Sequence, residues 1–284
     1  MIGFNMSSRD LSKTFTVMNN GNIIYKDYIL VTDDDNDNDN IDYYVILNYT
    51  TTEKYISYKS IVIQMEPWVY DDTRPWGVKS WGTWAIPNPK EFLHVRRHVD
   101  YLNPAQWFFP VPKSISLTNR KNKMIAFLSH KKNDIGHINR ISFIQYIESI
   151  NLDIIDVYGY KNYHDLKSYK GTAPSTEIIQ EYKYMLSAEN NREYNYATEK
   201  IWESFIAITL CFYDGCPNLK DYVPEQSFIP VSLDNQNSLY TILQAINNNA
   251  WERSIPYLEQ AKSLTIEKYN ALNVIHETIN NKIL

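Results

Sequence analysis

The sequence predicts an α/β protein made of two consecutive α/β halves, and three observations support this prediction. Short runs of β-branched and apolar residues, typical of buried strands, recur along the chain. Helical spacing of apolar residues follows several of these runs, as in strand–helix–strand units. A polar stretch at residues 113–123 separates two groups of such runs and indicates a domain boundary.

Composition limits the classes of function. With 284 residues, 44% hydrophobic content and 21% charged residues, the chain has the profile of a soluble globular protein. The net charge of −5 argues against nucleic-acid binding, which needs a basic face. Its two cysteines, Cys211 and Cys216, are too few for a disulfide framework and are expected to be free thiols. No apolar run is long enough for a signal peptide or membrane anchor, so we expect a soluble, cytoplasmic protein.

The first half contains several predicted strands. Residues 14–31 form two β-type runs around the turn signal Asn20-Gly21. The apolar runs 43–49 and 60–66 are each typical of a buried strand, and 105–112 predicts a further strand that ends in prolines. The stretch 91–103 holds two histidines and two arginines, which we interpret as polar positions near a domain edge.

An acidic run, DDDNDNDN at 33–40, has two interpretations. Clustered carboxylates bind divalent cations in many enzymes. This run has neither apolar anchors nor ordered spacing, which favours a solvated loop. We therefore expect no metal site there.

Glu66 ends the predicted strand 60–66 and precedes a tryptophan-rich segment. A carboxylate at the carboxyl end of a strand lies where α/β folds place their ligand crevice, and a solvated strand-end residue is the alternative. Trp68, Trp76 and Trp81 lie in the Pro- and Gly-punctuated segment that follows, which predicts a loop. Their flat side chains suit stacking on a sugar, and packing of the loop onto its own domain explains them equally well.

The second half begins with a predicted strand at 124–130. A polar loop, KKNDIGHIN, follows it, and the apolar spacing predicts a helix that starts near Arg140. Residues 152–160 predict another strand, and residues 176–183 predict a short helix. The chain ends in helical patterns from residue 237 onward.

The stretch 182–208 is the most informative part of the chain. A short apolar strand and a polar loop, 189–195, lead into a helix with apolar residues at helical spacing. The first turn of this helix carries Thr198, Glu199 and Lys200. A helix N-terminus attracts anions, so Lys200 there suits a diphosphate, and Glu199 suits ribose hydroxyls. A helix start that is merely charged and solvated is the alternative.

The amino-acid sequence of this stretch resembles that of a known family. The pattern E-N-(x)5-Y-x-T-E-K, at Glu189 to Lys200, resembles the donor-binding signature of the α1,3/4-fucosyltransferases, glycosyltransferase family 10. The resemblance continues in Y-x-G-x-P-N at Tyr213 to Asn218 and in P-x-x-S-F-I at Pro224 to Ile229. It covers roughly residues 120–245, and the first hundred residues match much more weakly.

The resemblance implies a GT-B-type fold, with two Rossmann-like domains facing a cleft, and a metal-independent, inverting transfer of L-fucose from GDP-fucose to a glycan acceptor. We expect an acceptor-side domain at 1–115 and a nucleotide-sugar domain at 116–255. A C-terminal helical segment, 256–284, is expected to cross back to the first domain. The chain resembles soluble bacterial or viral members, which lack a membrane anchor.

The resemblance also implies roles for individual residues. Glu66 would be the general base, and Arg140 and Lys200 would stabilise the departing diphosphate. The donor-binding residues would be Arg140, Asn190, Tyr196, Thr198, Glu199 and Lys200, and the acceptor would stack on Trp68, Trp76 and Trp81. The loop before Arg140 departs from the family wording, since it carries His130 and Lys131.

Two alternatives stay open at this point. The donor could be another GDP-sugar, because single residues of a sugar pocket decide that choice. The chain could also be a catalytically inactive carbohydrate- or nucleotide-binding protein on the same scaffold. The presence of Arg140, Glu199 and Lys200 together favours an active enzyme.

Overall fold

The computed structural model describes residues 2–4, 18–19, 22–32, 41–47, 55–65, 88–105, 111, 114–132 and 134–280. The chain divides into two compact units. Unit 1 comprises Met1–Pro104 and Asn270–Leu284, and unit 2 comprises Ala105–Tyr269. The sequence analysis placed the two boundaries after residues 115 and 255. In the structure the first division comes earlier, after Pro104, and the second comes later, after Tyr269.

Unit 1 is built on a mixed sheet. The described strands are β1 (Ile2–Phe4), β2 (Met18–Asn19), β3 (Asn22–Tyr25), β4 (Tyr28–Thr32), β5 (Tyr43–Leu47), β6 (Ser60–Ile63) and β7 (His94–Arg96). Their order is β2-β3-β4-β1-β5-β6-β7. The pairs β2–β3 and β3–β4 are antiparallel. The predicted turn residues Asn20-Gly21, between β2 and β3, lie outside the described residues. The strands from β4 through β1 to β7 pair in parallel.

The core of unit 1 includes the last helix of the described chain, α5 (Ala271–Ile279). Val45 and Ile61, on β5 and β6, cluster with Ala271, Leu272 and Ile275 of this helix. All five side chains are at most 4% exposed. Of the segment 256–284 that was expected to cross back to the first domain, residues from Asn270 onward belong to unit 1, whereas residues 256–269 belong to unit 2. The Asn270 side chain caps α5 by accepting a hydrogen bond from the Asn273 N–H at 2.8 Å.

Unit 2 is built on a six-stranded parallel sheet, and helices connect or follow its strands along the chain. Its strands are β8 (Lys121–Phe127), β9 (Ile155–Tyr158), β10 (Tyr169–Gly171), β11 (Tyr182–Ala188), β12 (Leu210–Asp214) and β13 (Phe228–Pro230). Its helices are α1 (Ile135–Ser149), α2 (Glu199–Ile206), α3 (Ser238–Asn247) and α4 (Ala250–Ser263), and a π-helical turn, Leu264–Tyr269, follows α4. Short 3-10 helices occupy Thr176–Glu181, Leu219–Asp221 and Glu225–Ser227, and in unit 1 Ser57–Lys59.

The strand order of unit 2, β10-β9-β8-β11-β12-β13, contains a topological switch point. The chain runs outward from β8 to β10 on one side and from β11 to β13 on the other. In doubly wound sheets, ligands bind beside the carboxyl ends of the strands at such a point. In this unit the point lies between β8 and β11. The predicted α/β fold of the GT-B type is confirmed.

One local prediction was wrong. Helix α1 begins at Ile135 rather than near Arg140, because Asp134 and His137 form a capping box that starts the helix earlier. The short helix predicted at 176–183 is present as a 3-10 helix, Thr176–Glu181. The two cysteines are free, as predicted, and both are buried.

Candidate active site

The candidate site of unit 2 lies where α1 and α2 begin, beside the end of β11. The Gly136 N–H in the first turn of α1 donates to the carbonyl of Asn190 at 3.0 Å. A Cβ atom on Gly136 would lie 1.8 Å from the carbonyl oxygen of Glu189. Only glycine therefore lets the start of α1 pack this closely onto the backbone that follows β11.

Glu189, the residue after β11, connects the elements of the site. Its side chain is buried, and its two oxygens accept three hydrogen bonds. These come from the Thr198 N–H at 2.9 Å, the Thr198 hydroxyl at 2.6 Å and the Tyr213 hydroxyl at 2.8 Å. A buried carboxylate is stable only when it is paired and hydrogen-bonded in this way. Glu189 thus fixes the start of α2 relative to β11 and β12.

Lys200 lies in the first turn of α2, between two carboxylates. Its Nζ atom is 3.1 Å from Glu199 Oε1 and 3.6 Å from Glu189 Oε2. Burial by itself lowers the pKa of Lys200, but the charges of Glu189 and Glu199 outweigh it and raise the pKa. Burial raises the pKa of Glu199, but Lys200 outweighs this and lowers it. Lys200 and Glu199 are therefore both charged at neutral pH.

Arg140 supplies the second cation from α1. Only 8% of its surface is exposed, and one guanidinium nitrogen donates to the Ala188 carbonyl at 2.7 Å. Its Nε atom is buried without a hydrogen-bond partner, and the same holds for Oδ1 of Asn190. Burial lowers the pKa of Arg140, and the charges of Glu189, Glu199 and Asp214 oppose that shift. The buried N–H at Nε of Arg140 lacks an acceptor, and a bound anion would supply one.

Asp134 and His137 lie at the start of α1. The backbone N–H of Asp134 donates to Nδ1 of His137 at 3.3 Å, and Asp134 Oδ2 lies 3.3 Å from the same nitrogen. Burial and the positive charges of Arg140, Lys200 and Lys131 lower the pKa of His137 to about 4. Burial raises the pKa of Asp134. His137 is therefore neutral at physiological pH in the unliganded protein.

Arg192 braces the loop between β11 and α2. Its guanidinium forms paired hydrogen bonds with Asp214, at the end of β12, and with Asp234. These bonds raise the pKa of Arg192. We therefore interpret Arg192 as a cation that stabilises the loop. Two cavities adjoin it. One of about 120 Å³ is lined by Ile135, Gly136, Asn139, Glu189, Asn191, Arg192, Asp214 and Asp234. The other, of about 340 Å³, lies beside the ends of β12 and β13.

A comparison with protein-family models identifies the family of this chain. Residues 117–278 match the model of "Glycosyltransferase family 10 (fucosyltransferase) C-term". The match spans more than half of the chain, including both helix starts and the Glu189 to Lys200 signature. The chain belongs to glycosyltransferase family 10. The predicted enzyme class, a fucosyltransferase-like glycosyltransferase, is confirmed at that level.

Individual relatives agree with the family. The chain is 31% identical over 103 residues to a GDP-fucose protein O-fucosyltransferase 3 of Danio rerio, covering 36% of this chain and 22% of that protein. It is 28% identical over 89 residues to a fucosyltransferase-like protein of Arabidopsis thaliana, covering 31% and 17%. The matched part thus spans about a fifth of the length of these curated relatives.

Solved structures agree in fold. A crystal structure of an α1,3-fucosyltransferase with GDP matches at a TM-score of 0.53 and 15% identity, over 89% of this chain and 80% of that one. Another α1,3-fucosyltransferase structure matches at a TM-score of 0.51 and 14% identity, over 99% and 90%.

The structure brings together most of the donor-binding residues predicted for this family 10 chain. Arg140, Asn190, Thr198, Glu199 and Lys200 all lie at the two helix starts or at the end of β11. Tyr196 is different, since it is 1% exposed and belongs to the core of unit 2. The predicted general base Glu66, the acceptor residues Trp68, Trp76 and Trp81, and the acidic run 33–40 lie outside the described residues.

Three residues of the site were not singled out from the sequence. Glu189 was part of the signature, but its contacts with Thr198 and Tyr213 join distant positions of the chain. His137 was assigned to a loop, although Asp134 three residues before it was an available capping signal. Arg192 has no sequence signal that we recognise, because its partners Asp214 and Asp234 follow much later.

Two further features bear on the predictions for cofactor and membrane. Among the described residues, no group of three or more histidine, cysteine or acidic side chains is arranged to hold a metal ion. Metal independence therefore stays a prediction. None of the described helices is both long and apolar enough to cross a membrane.

Proposed function

We propose that this family 10 member transfers L-fucose from GDP-fucose to a hydroxyl of a glycan acceptor, with inversion at the anomeric carbon. The observation that carries the proposal is the charged cluster at the switch point of unit 2. There Arg140 and Lys200 both interact with the charges of Glu189 and Glu199, and Arg140 keeps a buried donor without a partner. The curated relative from Danio rerio is itself named as a GDP-fucose-dependent transferase, which supports the choice of donor.

The roles in the donor site follow from charge and position. Lys200, Arg140 and the N-terminus of α2 hold the diphosphate and stabilise the charge that develops on it as the glycosidic bond breaks. Glu199, which is 32% exposed, accepts hydrogen bonds from the ribose hydroxyls. Asn190 offers its unpartnered carboxamide oxygen to a hydroxyl of the donor. Two cations and a helix start neutralise the leaving group without a metal ion.

The reaction itself is a single displacement. Glu66 removes the proton from the acceptor hydroxyl as its oxygen attacks the anomeric carbon. The bond from that carbon to the diphosphate oxygen breaks, and GDP leaves with the bonding electrons. Trp68, Trp76 and Trp81 stack on the acceptor sugar. The roles of Glu66 and the three tryptophans rest on the sequence resemblance.

Calorimetric titration tests the donor class directly. We expect GDP and GDP-fucose to bind much more tightly than UDP and UDP-sugars. GDP-mannose in the same series tests whether another GDP-hexose is the donor. Equal affinity for the guanine and uracil nucleotides would refute the assignment. Tight GDP-fucose binding without GDP release in the presence of a panel of glycans would identify a binding protein on the same scaffold.

Turnover with and without a chelator tests the metal question. We expect EDTA, or deletion of Asp33 to Asn40, to leave the rate of GDP release largely unchanged. Loss of activity in EDTA with recovery in Mn²⁺ would show that the leaving group needs a metal ion.

A further inference from the structure

Helix α1 carries two buried nitrogen-bearing side chains on neighbouring turns. His137 and Arg140 are three positions apart, so their side chains share one face of the helix. Both residues are more than nine-tenths buried, at 5% and 8% exposure. Arg140 Nε is buried without a hydrogen-bond partner, and in His137 it is Nδ1 that contacts Asp134. A buried, unpartnered guanidinium nitrogen next to a helix N-terminus points to a ligand, and His137 lies on the same face of that helix.

The hydrogen bond at Nδ1 defines the state of the imidazole. Nδ1 of His137 accepts from the backbone N–H of Asp134, so the neutral ring carries its proton on Nε2. That Nε2–H is a donor even when the ring is uncharged. Asp134 Oδ2 also lies 3.3 Å from Nδ1, close enough to pair with this nitrogen if it becomes protonated. The ring can therefore donate from Nε2 when it is neutral, and it can also pair with Asp134 when it is protonated.

The charges around His137 explain why it is neutral without a ligand. Lys131, from the loop after β8, Arg140 and Lys200 face it with positive charge and, together with burial, lower its pKa. A nucleotide diphosphate brings two negative charges to this cluster and offsets the positive charge that Arg140 and Lys200 present to His137. Less positive charge beside the imidazole favours its protonation.

We propose that His137 is a donor-binding residue whose Nε2–H donates to a phosphate oxygen, and that the Asp134–His137 pair takes up one proton as the diphosphate binds. The inference rests on the proposed function, because it takes a nucleotide diphosphate as the ligand. The proton comes from solvent and is held between Nδ1 of His137 and Oδ2 of Asp134. Donor affinity then increases as the pH falls from neutrality toward the range in which the free pair itself becomes protonated.

Proton uptake is measured by titrating GDP-fucose into the protein in two buffers, acetate and Bis-Tris, at about pH 5.5. GDP-fucose is the probe because both phosphates of its diphosphate are esterified and do not titrate near this pH, whereas the terminal phosphate of GDP does. The buffers differ in ionisation enthalpy, so the difference in observed binding enthalpy gives the number of protons exchanged. We expect uptake of roughly half a proton to one proton per site.

His137→Gln is the decisive variant. Glutamine at this position of a capping box still accepts from the Asp134 N–H, so α1 keeps its start, but it cannot titrate. We expect uptake to fall close to zero and GDP-fucose affinity at about pH 5.5 to weaken by about tenfold or more. Asp134→Asn keeps a good N-cap and removes the counter-charge, so we expect it to reduce uptake. His276→Asn, in α5 of unit 1, is the matched control and should leave uptake unchanged.

The outcomes separate this inference from the proposed function. If GDP-fucose binds tightly but its enthalpy is independent of the buffer, His137 does not take up a proton. Uptake that persists in both His137→Gln and Asp134→Asn assigns the proton to another group and also refutes the proposal. If neither GDP nor GDP-fucose binds the wild-type protein, the assignment of the donor class fails first.

Discussion

Lys200 Nζ lies 3.6 Å from Oε2 of Glu189, whose carboxylate also accepts two hydrogen bonds from Thr198. Because Glu189 follows β11 and Lys200 lies in α2, this ion pair ties the position of the cation to the central strand of unit 2. The lysine is thus held in place in the unliganded protein, so the proposed reaction would need little reorganisation of this cation.

Replacing the cation of this pair should abolish most of the activity. We expect Lys200→Met to lower kcat/KM for fucosyl transfer by roughly a hundredfold or more, because a leaving-group cation contributes about 2–4 kcal/mol. Lys183→Met is the matched control, since Lys183 forms a partly buried ion pair with Glu252 in the same unit. We expect that variant to change kcat/KM by no more than about twofold. Similar activities for the two variants would remove Lys200 from the mechanism.

Gly136→Ala should destabilise the protein, contrary to the usual effect of this substitution in a helix. Alanine is normally favoured over glycine in a helix by about 1 kcal/mol. Here the added Cβ would meet the Glu189 carbonyl oxygen at 1.8 Å, so the start of α1 must move. We expect a loss of about 1–3 kcal/mol in the free energy of unfolding, measured by denaturant titration. Ser142→Ala, on the exposed face of the same helix, should be neutral or stabilising. A stable Gly136→Ala variant would contradict the close approach.

The stability of the unliganded protein should fall in mild acid because of His137. Its pKa is about 4 in the folded protein, below the ordinary value of 6.5, so the unfolded chain binds more protons between these values. Stability contributed by the neutral ring is complete above about pH 6.5 and is lost as the pH falls toward 4. We expect a loss of up to about 3 kcal/mol over this window. His137→Gln should show a flatter profile, and parallel profiles for the two proteins would contradict the prediction.

Glu66→Gln tests the predicted general base. The substitution keeps size and hydrogen bonding but removes the basic oxygen. We expect unchanged Tm, unchanged GDP affinity and a transfer rate lower by roughly 10²–10⁴-fold. The exposed Glu91→Gln is the control for loss of one carboxylate from unit 1. Near-normal turnover of Glu66→Gln would move the role to Asp71 or Asp72, and a parallel loss of GDP binding would indicate a structural residue.

Elements of the fold could be predicted from the sequence where apolar residues recur at regular spacing. Strand β11 and helix α2 were predictable because apolar residues at regular spacing, such as Ile201 and Phe205, are buried as that spacing requires. Strand β7 was not predicted, because its sequence carries His94 and Arg96, and Arg96 is 3% exposed in the structure. A buried polar strand has no alternation of apolar and polar residues to detect.

The candidate site was predictable only where its residues are close in sequence. Thr198, Glu199 and Lys200 share one turn of helix, so a local motif identifies them together. The hydrogen bond from Tyr213 to Glu189 and the ion pairs of Arg192 join strands and loops that only the fold brings together. No spacing rule reveals such long-range pairs, which therefore required the structure.

The division of the chain at Pro104 and Asn270 has a consequence for how the protein is made. The whole of unit 2 is synthesised before helix α5, whose Ala271 and Leu272 complete the core of unit 1. The strands β5 and β6 are therefore made long before the helix that packs on them, and unit 1 cannot complete its core until the chain has reached Ile279. A chain truncated shortly before residue 270 would keep the whole sequence of unit 2 but lack the helix that completes the core of unit 1.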